Sequence, residues 1–217
     1  MSARRALILL GAIYHDFEGF TAYATPLLQA AGFEVQATYD MDELLVLSHR
    51  GYDLLVSYTD FGQYRDGRPS VGAAFLTDAQ TQALADWVRA GGRILGVHGA
   101  TVRGTQPNPL LKALLGARFI EHPAQHSFMV YPLLPEHPIT EGVGAFAVKD
   151  ELYIQEFESG LDVHMVAIDR GQAYPMVWTR REGAGRVAYI AMGHNDQVWN
   201  LPPFTQLLTQ AVSWLMA

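Results

Sequence analysis

Arg93-Ile94-Leu95-Gly96-Val97 followed at once by His98-Gly99-Ala100 is the stretch on which the reading of the fold turns. Five residues that are apolar after the first form a short buried strand, and the chain then turns with small residues on both sides of one histidine. A strand that passes straight into a helical turn forces its junction residue into a tight, exposed conformation, the logic of a nucleophile elbow. Upstream, Ala6–Leu10, Val35–Tyr39 and Asp53–Tyr58 read as strands, separated by helical patterns at Gly19–Ala31 and Met41–Ser48. That rhythm belongs to βαβ units around a parallel sheet. Pro26 inside the first helical pattern predicts a kink or a restart capped by Thr25. Thr77-Asp-Ala-Gln80 reads as a capping box for a helix that ends at Gly91-Gly92. The polar, glycine-containing segment Thr59–Phe75 has the length of a lid or binding loop.

After Leu115 the pattern changes. Phe128–Leu133, Val148–Tyr153, His164–Ile168, Pro175–Thr179 and Arg186–Met192 are strand-like runs, and Phe204–Met216 is a closing helix. The expectation is one domain over residues 1–217, with strands added to one end of a mainly parallel sheet. An apolar Phe128–Leu133 at a sheet edge would be the route to a homo-oligomer.

Composition narrows the function. The 217 residues hold 15 Lys+Arg against 22 Asp+Glu, a net charge of −7, and only Lys112 and Lys149 are lysines. Scattered arginines on an acidic chain argue against a nucleic-acid face. No run approaches the ~20 apolar residues of a membrane span and no signal-peptide core is present, so a cytoplasmic protein is expected, with no membrane partner. The cysteine count is zero, which removes thiol nucleophiles and thiolate ligands. No nucleotide or flavin is expected; a neutral small molecule such as a sugar fits the charge better.

Three histidines stand at predicted strand ends: His15 in Gly11–Glu18, His98, and His194 in Gly193-His194-Asn195-Asp196. Ligands of open α/β sheets gather at the carboxyl ends of strands. Imidazole there can be a base, a nucleophile or a metal ligand, or simply a turn histidine satisfied by its neighbours. Asp196 could orient the His194 ring, and Asp16 sits beside His15 either as helix cap or as a site group. If Lys149–Tyr153 is a strand, Glu151 and Tyr153 share a face. His122, before Pro123, is a fourth and weaker ligand candidate. Trp199 would suit stacking on a pyranose, although core or rim is the simpler reading.

Gly96-Val-His-Gly-Ala100, His122-Pro-Ala124, His137-Pro-Ile139, Asp150-Glu-Leu-Tyr153, Pro175-Met-Val-Trp178, Gly183-Ala-Gly-Arg-Val187 and Gly193-His194 occur in the order seen in ThuA-like proteins. The chain resembles that trehalose-utilisation family, which has the class I glutamine amidotransferase-like fold. The resemblance implies a flavodoxin-like three-layer α/β sandwich. It places His98 where an amidotransferase has its cysteine, and His194 at the amidotransferase histidine, with Asp196 where Glu would stand. Without a thiol the thioester route from glutamine is closed, so the fold implies no glutaminase. What the family adds is a link to the breakdown of trehalose and related disaccharides through keto-sugars. Two readings follow: an enzyme using His98, His194 and Glu151, either directly in acid/base chemistry or with a divalent, zinc-like metal on His15, His98, His194 and, more weakly, His122; or a non-catalytic sugar-binding or partner module on a retired amidotransferase fold. Asp16, Tyr153, Asp196 and Trp199 are the expected substrate contacts.

Overall fold

The computed structural model describes residues 3–12, 14–61, 64–65, 68–69, 76–102 and 108–217. The strands are β1 (Arg4–Gly11), β2 (Phe33–Thr38), β3 (Leu54–Thr59), a small hairpin β4 (Tyr64–Arg65) and β5 (Arg68–Pro69), β6 (Arg93–Val97), β7 (Ala117–Glu121), β8 (His126–Pro132), β9 (Phe146–Asp150), β10 (Ile154–Phe157), β11 (Asp162–Asp169), β12 (Gln172–Glu182) and β13 (Gly185–Ile190). The helices are α1 (Phe17–Ala30), α2 (Leu47–Arg50), α3 (Asp78–Arg89), α4 (Pro109–Leu115), α5 (Asp196–Trp199) and α6 (Pro202–Met216). Of the expected loop Thr59–Phe75, residues 62–63, 66–67 and 70–75 lie outside the described residues.

Nine strands make one sheet in the order β2-β1-β3-β6-β13-β12-β11-β8-β9. Alternation sorts the β1 side chains: Ala6, Ile8 and Leu10 join a core with α1 and α6, whereas Leu7 and Leu9 join one with α3 and α4. Helices thus cover both faces, as the three-layer expectation requires. The α3 capping box is complete in both directions. Helix α1 runs through Pro26 without the restart that Thr25 suggested.

The sheet is mixed, not mainly parallel. β2, β1, β3, β6 and β13 run parallel, and every pairing from β13 through β12, β11 and β8 to β9 is antiparallel. The physical reason lies in the turns. Arg170 and Gly171 alone join β11 to β12, both at positive φ (48° and 78°), and Gly183-Ala184 alone join β12 to β13. A two-residue turn can connect only antiparallel strands, and positive φ at both residues suits their twist. β8 lies between β11 and β9, so Phe128–Leu133 is not an edge.

Four reversals return β9 to the direction of the parallel strands, so its carboxyl end emerges at their carboxyl ends. The antiparallel half curls back far enough for Asp150, which ends β9, to accept a hydrogen bond from the N–H of Gly193 beyond β13 at 2.7 Å. A separate ribbon pairs β7 with β10, with Glu121 opposite Ile154. That register sets His122 beside the segment 151–153.

One buried histidine away from this end bears on stability. His164 on β11 is fully buried, lies 2.8 Å through Nε2 from Thr179 Oγ1, and stacks on His137 with centroids 3.9 Å apart. Burial pushes its pKa down to about 4; His137 acts in the same direction and Asp162 against it. The folded value lies below that of the unfolded chain, so acid protonates the unfolded chain first. The stabilisation is whole above about pH 6.5 and is lost as pH falls toward 4. From this group alone, unfolding free energy should drop by about 2–3 kcal/mol between pH 7.5 and 4.5. Urea titrations of wild type and His164→Gln test this; an equal drop in both would remove His164 as its source.

Candidate functional site

The elbow turns as its sequence implies, but its histidine is fully buried rather than exposed. Val97 is extended and His98 enters a 3-10 turn, His98–Thr101, at φ 46°, a left-handed conformation that costs a non-glycine residue about 1–3 kcal/mol. Two bonds hold it there. The Tyr189 hydroxyl donates to the His98 carbonyl, and His98 Nδ1 lies 2.9 Å from the carbonyl of Ala191. A carbonyl only accepts, so Nδ1 carries a proton, which in the neutral ring leaves the electron pair on Nε2. The flanking glycines have separate reasons: a Cβ at Gly96 would stand 2.6 Å from the Tyr189 ring, and one at Gly99 2.3 Å from Asp60 Oδ1.

His194 and Glu151 are set by a shared clamp. Asp150 is buried and accepts from the N–H of Gly193 (2.7 Å) and the N–H of Glu151 (2.8 Å). Tyr58 donates to the carbonyls of Gly193 and His194, each at 3.0 Å, and Trp199 Nε1 donates to Gly193 at 2.7 Å.

The result is a triangle. His98 Nε2 is 3.3 Å from His194 Nδ1 and 3.4 Å from Glu151 Oε2, and His194 Nδ1 is 3.2 Å from Glu151 Oε2. His15 completes a group whose four ligand atoms lie within 4.8 Å of one another. His122 Nε2 approaches Glu151 Oε2 at 3.6 Å from the rim, where the ring is a third exposed. Burial, reinforced by His98 and His194, pushes the His15 pKa down to about 2, which makes it a neutral imidazole. Burial alone would raise Glu151, but the hydrogen bond from His194 and then the neighbouring His98 outweigh it and hold the carboxyl well below its usual range. The same bond outweighs burial at His194 and raises that imidazole. Asp60, at the end of β3, is pushed up to about 8, by burial first and Glu151 next.

The cluster opens on a cavity of about 250 Å³. Its polar wall is His15, Asp60, Glu151 and His194, and Tyr14, Phe119, His122 and Tyr153 form an aromatic one. Tyr153 packs on His98 with ring centroids 4.3 Å apart. Of the residues expected from sequence, His15, His98, Glu151, Tyr153 and His194 come together, with His122 at the rim. Three substrate contacts are not where they were expected. Asp16 is exposed and caps α1 by accepting from Gly19 N–H at 2.8 Å. Asp196 is exposed in the first turn of α5, and the carboxylate on the His194 ring is Glu151. Trp199 is 2% exposed and packs with Phe20 and Tyr23, so it offers no stacking platform. Glu151 and Tyr153 line the cavity although the strand stops at Asp150. Asp60, Asp150 and Tyr58 escaped the sequence reading; the one signal for Asp60 was its place after an apolar strand.

A sequence model of the ThuA family, described as trehalose utilisation, matches residues 5–215. The chain belongs to the ThuA family. Solved ThuA-like proteins share its fold at low identity. One from Bacteroides uniformis is 19% identical with a TM-score of 0.73, over 98% of this chain and 91% of its own. One from Parabacteroides merdae is 16% identical with a TM-score of 0.76, over 99% and 90%. The ThuA fold also resembles part of a larger enzyme, a β-galactosidase from Bacillus circulans sp. alkalophilus, at 12% identity and a TM-score of 0.66, over 98% of this chain and 31% of that one. No curated protein matches the sequence. Among the described residues of this ThuA-family chain, no helix is long and apolar enough to cross a membrane.

Proposed function

We propose that this ThuA-family protein is an enzyme that acts on trehalose-type disaccharides or their keto derivatives at a divalent-metal site formed by His98, His194 and Glu151, with His15 as a fourth ligand. The observation that carries the reading is the triangle. A tetrahedral cation with bonds of about 2.0–2.1 Å sets its ligand atoms about 3.3 Å apart, the spacing of these three atoms. The donor set agrees. His98 Nε2 and Glu151 Oε2 both bring electron pairs to one point, which only a proton or a cation between them makes favourable. Neutral imidazoles with one carboxylate suit zinc and similar ions.

Such an ion supplies Lewis acidity toward a carbonyl or hydroxyl oxygen of the sugar. The protein supplies the rest. Asp150 and the Ala191 carbonyl orient the ligands from behind. His122 lies 2.8 Å through Nδ1 from the Pro123 carbonyl, which turns Nε2, 3.6 Å from Glu151 Oε2, toward the cavity, where it could exchange a proton with a sugar hydroxyl. Phe119, half-buried on the cavity wall and backed by Tyr153, offers an apolar face to sugar C–H groups. A cavity of about 250 Å³ lies at the small end of ligand clefts, suited to one sugar ring with the second ring in the mouth. A binding module would need hydroxyl-matching amides and an open tryptophan, whereas three imidazoles converge here and Trp199 is in the core.

Elemental analysis of untagged protein, paired with turnover assays on trehalose and its keto form, tests the proposal. About one zinc, manganese or nickel per chain and metal-dependent turnover are expected. Protein that stays metal-free after incubation with each ion would sink the metal, and metal-replete protein inert on both sugars would sink the substrate class.

A further inference from the structure

Asp60 stands outside the ligand group, yet it is held as though its position matters. It is 3% exposed, and neither carboxylate oxygen has a hydrogen-bond partner among the described residues. A buried polar group left unpaired costs on the order of 1–3 kcal/mol, so a fold keeps one in place at the expense of stability. The backbone fixes it on both sides. Its N–H donates to Gly11 at 3.2 Å, and the next residue, Phe61, is buried at φ 54° with its N–H bonded to Thr59 Oγ1 at 2.8 Å. Gly99 leaves out the Cβ that would collide with Oδ1. That oxygen faces His15 Nδ1 at 3.6 Å, a small side-chain rotation from hydrogen-bond distance, and His15 Nε2 is buried with no hydrogen-bond partner among the described residues.

We infer that Asp60 is the positioning residue of His15: its carboxyl accepts the Nδ1 proton, fixes ring and tautomer, and leaves the Nε2 electron pair as the ligand. His98 uses the Ala191 carbonyl for the same purpose, so two imidazoles of the cluster are aimed from behind by oxygen acceptors, the usual support of metal-bound histidine. The role of the Nε2 pair rests on the metal reading above; the tautomer does not.

Two measurements on the full chain separate these. Ring ¹⁵N correlations of histidine-labelled, metal-free protein should show His15 as the Nδ1–H tautomer. Asp60→Ala should lose that preference, and Asp60→Asn, which keeps an acceptor oxygen, should largely restore it. A wild-type Nε2–H tautomer overturns the inference, and this result stands even if Asp60→Ala does not fold. Cobalt(II) titration should give a 10–100-fold weaker site in Asp60→Ala, the range for an outer-shell partner, and less than about twofold further loss in a His15→Ala background. An equal loss in that background makes Asp60 an independent ligand and overturns the inference. Wild type that takes up no cobalt refutes the metal reading, while the tautomer still decides the role of Asp60.

Discussion

Purified His98→Ala protein is expected to be folded, to retain less than about a tenth of the wild-type metal and to lose about 10³-fold or more in kcat/KM. His98 supplies one of three corners, and its Nε2 lies at 3.3–3.4 Å from both other ligand atoms, so no neighbour can replace it. An outer-shell loss costs 10–100-fold in affinity, and a ligand must exceed that. The fold should survive. Alanine at φ 46° bears a strain similar to that of histidine, and the remaining cost is a small cavity against Tyr153 and an unpaired Ala191 carbonyl, together about 2–4 kcal/mol. Circular dichroism, metal content and initial rates decide it. Metal retention and activity within about threefold of wild type would remove His98 from the site.

Asp150→Ala should be more damaging to stability than any ligand substitution. One carboxylate accepts from Gly193 N–H and Glu151 N–H, and removing it strands two buried donors, at about 1–3 kcal/mol each. The expected loss is about 3–5 kcal/mol, or roughly 8–15 °C in Tm for a chain of this size. Metal affinity should fall as well, because the same two donors set His194 and Glu151. Asp150→Asn keeps one acceptor oxygen and should fall between. Calorimetry with metal titration measures both, and a loss under about 1 kcal/mol with unchanged affinity would show that the clamp is dispensable.

The polar cluster was legible because strand-end position and residue type point the same way at His15, His98 and His194, and the elbow spacing added His98 independently. Glu151 was found for a partly mistaken reason, since alternation along a strand predicted its face and the strand ends one residue earlier. Trp199 was expected to stack on a substrate although core or rim is the simpler reading of the residue, and it lies in the core, where its indole N–H finds the Gly193 carbonyl. Asp60 was hidden inside Thr59–Phe75, which reads as a polar lid or binding loop and singles out no one carboxylate. Its burial depends on His15 and Gly99, both distant in sequence. Strand direction was missed although Gly183-Ala-Gly185 was in plain view, because an apolar run reports burial on both faces and not polarity.

The reversal of strand sense between β13 and β12 divides labour in a way that bears on how such a protein can change. His15, His98 and His194 come from loops of the parallel half, where each strand end is locked between neighbours. Phe119, His122 and Tyr153 come from the β7–β10 ribbon and its flanks, outside the main sheet. Lengthening or recolouring that ribbon would reshape the aromatic wall of the cavity while the imidazoles keep their spacing. In the proposed enzyme, reactivity and selectivity would be housed in separable modules, and Glu151, clamped to Gly193 through Asp150, is the hinge pin at which they must stay in register.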